Sequence, residues 1–261
     1  MSDQHTPLGS PIQGSPGDIL NWPMLKIRYK TSPDKIAALL PAGIEPGAEP
    51  NVTITIYNFP VNMEPEYGNV INVDANYQGI EGEYTLQVGI NQEAPLFVCH
   101  EAWGQPKVPS DTDYFRLMDM VEAKCSHQGY TFLTFKGVAT ETLENGDDFE
   151  QNEWWIKVSR AVDMVPGNYD FGPHVVRVHS KYGTALRQKV EGQLELLPSP
   201  WDPVATMLPI EEYIGAELWT PIFKDRQITL AGPLDGDAFV PHLDVISGTR
   251  WPGENGGPKQ A

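Results

Sequence analysis

Residues 97–109 read FVCHEAWGQPKVP. An apolar, strand-like run ends in the turn Gly104-Gln105-Pro106, and the next residue is Lys107, followed by Val108 and Pro109. A lysine amine forms Schiff bases with ketones and 2-oxo acids. It must be neutral to attack, so its pKa must fall well below the ~10.4 of a free side chain. Desolvation in an apolar pocket does this, and so does a second cation nearby. Most of the eleven lysines lie in alternating or polar contexts. Lys107 stands apart because Trp103 and an apolar run precede it and Val108-Pro109 follow. Position alone leaves two readings open: a solvated lysine at a strand end, or an inward-facing nucleophile.

Other chemistries find less support. The six histidines, His5, His100, His127, His174, His179 and His242, contain no i, i+4 helical pair. His174 and His179 are five apart on a strand-like run, hence on opposite faces. No spacing supports a metal site. Cys99 and Cys125 are the only cysteines; two do not make a disulfide framework, and Cys99 reads as a buried free thiol. There is no G-x-S-x-G elbow for a serine hydrolase and no Gly-rich phosphate loop for a nucleotide. Neither a metal nor a cofactor is expected.

The elements that must position Lys107 are mostly strands. MLKIRYK and NVTITIYNFPV alternate, the latter setting Val/Ile/Ile against Thr. SPDKIAALLP reads as a short helix, with Ser32 as cap, Pro33 at its first position and Pro41 as its stop. GNVINVDANYQG and GEYTLQVGIN are strands with turns at Gly79 and Gly82, and APLFVCHEAW is a strand-like run leading to the Gly104 turn. DYFRLMDMVEAKC is the clearest candidate for a longer helix, and PIEEYIGAEL is a candidate short one. YTFLTFKGVATETL, EWWIKVSRAV, HVVRVHSKYG, LRQKVEGQLEL and RQITLAGPL read as further strands. The sum is a mostly β (α+β) chain, largely antiparallel, built as a sandwich or closed barrel.

With 261 residues the chain has enough length for one large domain. Residues 1–21 and 249–261, rich in Gly, Pro and polar residues, are expected to be extended or flexible. The formal net charge of −17 argues against nucleic acid or an anionic membrane as partner. An anionic substrate would need a local positive spot in that field. No stretch approaches the ~18 apolar residues of a membrane span. The N-terminus shows no signal core, so the expected compartment is the cytoplasm.

Three segments in order carry a resemblance. They are IRYKTSPDKIAALLPAGIEP, then GIEGEYTLQVGINQEAPLFVCHEAWGQPK, then EGQLELLPSPWDPVATMLPIEEYIGA. The chain resembles the acetoacetate decarboxylase superfamily over roughly residues 24–240. The resemblance implies an antiparallel β-barrel or cone with short helices and an internal cavity, and a homo-oligomer. It also implies that Lys107 forms an imine with the substrate carbonyl, the imine acting as electron sink. The family's catalytic glutamate is matched by Glu66, with Glu64 as the alternative.

The departures carry as much information. The second lysine that follows the nucleophile in true acetoacetate decarboxylases is Val108 here. The family's Arg-Glu is His100-Glu101. An arginine before its first strand is matched by Trp22, and Gln105 puts a neutral amide two residues before the lysine. Trp22 and Gln105 are thereby placed against the substrate. Relatives lacking the second lysine are similar to aldolase-dehydratases and hydratases of pyruvate and other 2-oxo acids. The expectation is therefore a Schiff-base lyase on a small-molecule oxo acid, with β-keto acid decarboxylation as the alternative and a non-catalytic binding barrel as a third reading.

Overall fold

The computed structural model describes residues 23–61, 64–243, 251 and 257. Trp22 lies outside the described residues, as do both terminal segments apart from Trp251 and Gly257. The strands are β1 (Met24–Lys30), β2 (Glu45–Pro46), β3 (Asn51–Val61), β4 (Glu64–Tyr77), β5 (Ile80–Ile90) and β6 (Lys107–Pro109), then β7 (Asp111–Leu117), β8 (Met120–His127), β9 (Tyr130–Leu143), β10 (Phe149–Arg160), β11 (Tyr169–Leu196) and β12 (Glu212–Pro233). The helices are short: α1 (Pro33–Leu39), α2 (Glu93–Trp103), α3 (Val204–Met207) and α4 (Gly236–Phe239).

Strands β10, β5, β4, β3, β1, β12 and β11 pair in that order, and β10 pairs back onto β11, closing the sheet into a ring. The β10–β5 junction is parallel, with Glu153 opposite Glu83; the other ring pairings are antiparallel. Strand β11 is long enough to serve two structures. Residues from Tyr169 to Tyr182 pair with β10, and residues from Arg187 to Leu196 pair with β9, which carries β8 and β7 as a wing. The mostly-β barrel with an internal cavity is thus the observed architecture.

The alternation of the strands sorts side chains onto two faces. On β1, Leu25, Ile27 and Tyr29 join the main core, with Ile36 and Leu39 of α1 and Val121, Cys125 and Phe135 of the wing. On β3, Val52, Ile54 and Ile56 do the same. The opposite faces, Met24 and Lys26 on β1 and Thr55, Tyr57 and Phe59 on β3, line a cavity within the ring. The ring therefore turns its aliphatic face outward, under the wing and α1, and a mixed aromatic and polar face inward.

Four expectations are corrected. The run before Gly104 is the helix α2, not a strand: its buried residues Pro95 and Cys99 are four apart, while Phe97 and Val98 are exposed. Residues 113–125 belong to the β7–β8 hairpin rather than a helix; Leu117 pairs with Met120 across a turn in which Met118 has φ 54°, and Val121, Ala123 and Cys125 alternate into the core. PIEEYIGAEL is not a helix but runs into β12, which bulges at Gly215 to keep register with β1. Gly82 lies within β5, and the turn is at Gln78-Gly79. In the first two cases the apolar residues fit both periods, and packing against the sheet chose between them.

Candidate active site

Helix α2 delivers the lysine. Pro95, Cys99 and Trp103 recur every four residues, so one stripe of the helix faces the barrel. The helix stops at Gly104, whose φ of 68° is left-handed and whose N–H bonds back to the carbonyls of Cys99 and His100. A Cβ at Gly104 would lie 2.1 Å from the Ile156 carbonyl oxygen, so no other residue fits this reversal. The chain then enters the short strand β6, parallel to β5, with Lys107 opposite Val88. The Val88 N–H donates to the Pro106 carbonyl at 2.9 Å, and the Ser110 N–H to the Ile90 carbonyl at 2.9 Å. These bonds fix β6 at both ends and turn Lys107 inward.

Lys107 Nζ lies 3.5 Å from Glu66 Oε2, with the two side chains 4% and 1% exposed. Glu66 is placed by the β3–β4 hairpin, where it faces Phe59. Its other oxygen, Oε1, accepts a 2.9 Å hydrogen bond from the Tyr57 hydroxyl. Tyr57 reaches it across Gly68, where a Cβ would sit 2.2 Å from the Tyr57 ring. Burial, then the charge of Glu66 and the hydrogen bond to it, drive the Tyr57 pKa well up, so the phenol remains a donor. Glu66 is thus held at one oxygen and free at the other to face the amine.

Cys99 is the third neighbour. Burial raises its thiol pKa most strongly, Glu66 adds to that, and the Lys107 charge opposes it. The thiol stays protonated at neutral pH and is a poor nucleophile.

Lys107, Glu66 and Tyr57 open into a cavity of about 400 Å³. Around Lys107 its wall is apolar and aromatic, with Tyr57 and Phe59 stacked at 4.4 Å between ring centroids and Trp155 donating its indole N–H to Thr85 at 3.1 Å. Gln105 and Trp103 also line it. A polar group belongs to the same wall: Lys26, Asn72, Glu83, Gln151, Glu153 and Arg226. Glu83 Oε2 accepts from Asn72 at 3.0 Å and from Gln151 at 2.6 Å. Burial raises the Glu153 pKa, reinforced by Glu83 and opposed first by Arg226.

The structure therefore brings Lys107, Glu66 and Gln105 into one cavity. Glu64 is exposed at the start of β4 and Glu101 is exposed on α2, so neither faces the amine. Val108, next in β6, is half-buried and opposite Gly89. Among the described residues no group of three or more His, Cys, Asp or Glu is gathered to hold a metal ion. No helix among them is long and apolar enough to cross a membrane.

Tyr57, Cys99, Lys26 and Glu153 were not singled out by sequence as site residues. Tyr57 is foreshadowed by its place on the Thr face of β3. Nothing local marks Lys26 and Glu153, because alternation does not say which face a closed ring encloses.

A family model described as acetoacetate decarboxylase (ADC) matches residues 5–233. The acetoacetate decarboxylase of Chromobacterium violaceum is 34% identical over 221 residues, covering 80% of this chain and 86% of its own. That of Paraburkholderia phytofirmans is 35% identical over 106 residues, 39% of this chain and 41% of the relative's length. Among solved structures, acetoacetate decarboxylase from Legionella pneumophila superposes with a TM-score of 0.70 at 17% identity, covering 88% of this chain and 93% of that one. The enduracididine biosynthesis enzyme MppR, complexed with pyruvate, gives 0.64 at 12% identity, with coverages of 84% and 98%. The two structures share the fold. The chain belongs to the acetoacetate decarboxylase family.

Proposed function

We propose that this family member is a Schiff-base lyase acting on small oxo acids, with Lys107 as nucleophile and Glu66 as proton carrier. The observation that carries the proposal is the buried Lys107–Glu66 contact at 3.5 Å, at the wall of a cavity with room for a small oxo acid. Glu66 takes a proton from the Lys107 ammonium. The free amine attacks the substrate carbonyl carbon; the carbinolamine loses water and leaves an iminium. The iminium withdraws electrons from the adjacent carbon. From a 2-oxo acid, loss of a C3 proton to Glu66 gives an enamine, nucleophilic at C3, which adds to an aldehyde. The aldehyde oxygen takes the proton back from Glu66, loss of water from the adduct leaves a conjugated iminium still on Lys107, and a second water hydrolyses it, regenerating Lys107 and releasing the 2-oxo-3-enoate. Gln105 supplies an amide donor beside this centre.

Val108 favours this aldolase-dehydratase or hydratase reading, because no second lysine follows the nucleophile. The pyruvate complex of MppR, a protein of the same fold, is in keeping with it. A specific observation favours a second reading, decarboxylation of a β-keto acid: the Chromobacterium relative, matched over 86% of its length, is an acetoacetate decarboxylase. Both readings use the same imine and part at the fate of the carboxylate.

The test is reductive trapping. The protein is treated with pyruvate or acetoacetate and borohydride, and the adduct is mapped by peptide mass. An adduct on Lys107, absent from Lys107→Ala, is expected. Absence of any adduct, or its persistence in Lys107→Ala, overturns the proposal. Carbon dioxide release from acetoacetate, set against condensation of pyruvate with an aldehyde, decides between the two readings.

A further inference from the structure

We propose that Lys26 is the carboxylate receptor of this cavity and makes it selective for acids over neutral carbonyl compounds. The inference rests on the reading of the cavity as a substrate site and deepens it. Trp22 and Val108 remove two cations from the chain positions that the family pattern would fill. An anion bound inside a chain of net charge −17 needs a local cation. Lys26 supplies one from β1.

Lys26 sits between Leu25 and Ile27 on β1, so its side chain takes the face opposite the main core. It lines the same cavity as Lys107. It also lines a second cavity of about 510 Å³, which shares Lys26, Glu83, Gln151 and Trp219 with the first. Lys26 therefore stands at the junction of the two. Its ammonium lies 4.1 Å from the centre of the Trp219 ring, which positions it while leaving its N–H groups available. Among the described residues no carboxylate lies within ion-pair distance of it.

The acids around Lys26 are engaged elsewhere. Glu83 is bonded to Asn72 and Gln151. Glu217, opposite Lys26 on β12, is bonded to Arg187 at 2.9 Å. Glu153 has a raised pKa, from burial first. Burial likewise lowers the pKa of Lys26, with Glu83 first among the groups that oppose it. An incoming carboxylate holds Lys26 in its ammonium form against that desolvation, and charge-assisted hydrogen bonds are stronger away from water. The other cations of this wall are committed: Arg226 to Ser180 and Tyr182, and Lys224 to Asp148.

The experiment uses ligands that cannot form an imine. Butanoate and butanamide have nearly the same shape and differ in charge. Binding is followed by tryptophan fluorescence, since Trp219, Trp103 and Trp155 all line the cavity. The wild-type protein is expected to prefer butanoate by about tenfold or more. Lys26→Met should abolish the preference by weakening butanoate and leaving butanamide unchanged, and Lys26→Arg should restore it. Equal binding of the two ligands by wild type overturns the proposal, as does a preference that survives in Lys26→Met. Borohydride trapping on Lys107 is read separately. An adduct without the preference refutes the role of Lys26 alone, and the preference without an adduct refutes the imine alone.

Discussion

Lys107 Nζ and Glu66 Oε2 are 3.5 Å apart, and both side chains are almost wholly withdrawn from water. The two residues are 41 positions apart in the chain. They come from different structural origins, one from the exit of a helix and the other from a hairpin. A buried pair of this kind is costly to break from one side, because the remaining charge is left without compensation.

Lys107→Arg keeps a cation opposite Glu66 but cannot supply a neutral amine, since arginine stays protonated. Turnover is expected to vanish while the far-UV circular dichroism and melting temperature stay near wild type. Residual Schiff-base turnover in this variant would show that another lysine carries the reaction.

Glu66→Gln leaves an amide that can still accept from Tyr57 but cannot carry a proton. Imine trapping should slow yet still reach the same end point on long incubation, because solvent base can deprotonate the ammonium in place of Glu66, and turnover should fall by about 10²–10⁴-fold, the usual worth of a positioned acid–base group. Full activity in this variant would remove Glu66 from the mechanism.

Gly104→Ala forces a Cβ against the Ile156 carbonyl at a positive φ. The reversal that aims Lys107 must then distort, at a cost of about 1–3 kcal/mol or more. A lowered denaturation midpoint and a larger loss of turnover than of fold are expected. An unchanged midpoint would show that the backbone relaxes freely here.

Glu153 carries the pH prediction. Its pKa is raised in the folded state, chiefly by burial. The folded protein therefore holds this proton more tightly than the unfolded chain. The stability it contributes is full below the ordinary carboxylate pKa of about 4.3 and is lost as pH rises through the raised folded value. Glu153→Gln removes that loss. Its melting temperature should exceed that of wild type near neutral pH, with the difference shrinking as pH falls toward the carboxylate range. A difference independent of pH would mean that Glu153 does not change its protonation on folding.

Strands β1, β3, β9 and the body of β10 were legible from their runs of alternating and β-branched or aromatic residues, and they stand where those runs put them. The errors fell where apolar residues satisfy two periods at once. Phe97, Val98 and Cys99 look like a buried strand, yet two of the three are exposed on a helix. Phe115, Leu117, Met118 and Met120 look like a helical stripe, yet all four are exposed on a hairpin.

The sequence by itself determined the family, the β-rich class and Lys107 as the residue to watch. Those follow from local pattern and motif order, which need no knowledge of what the chain encloses. The placement of Glu66, rather than Glu64, beside Lys107 belonged to the tertiary structure, as did the Tyr57 hydrogen bond and the presence of Lys26 in the cavity. The physical reason is closure. Alternation assigns Lys26 and Thr55 to the polar face of their strands, and on an open sheet that face would meet solvent. Only the pairing of β10 with β11 closes the ring and turns that face into the wall of a site.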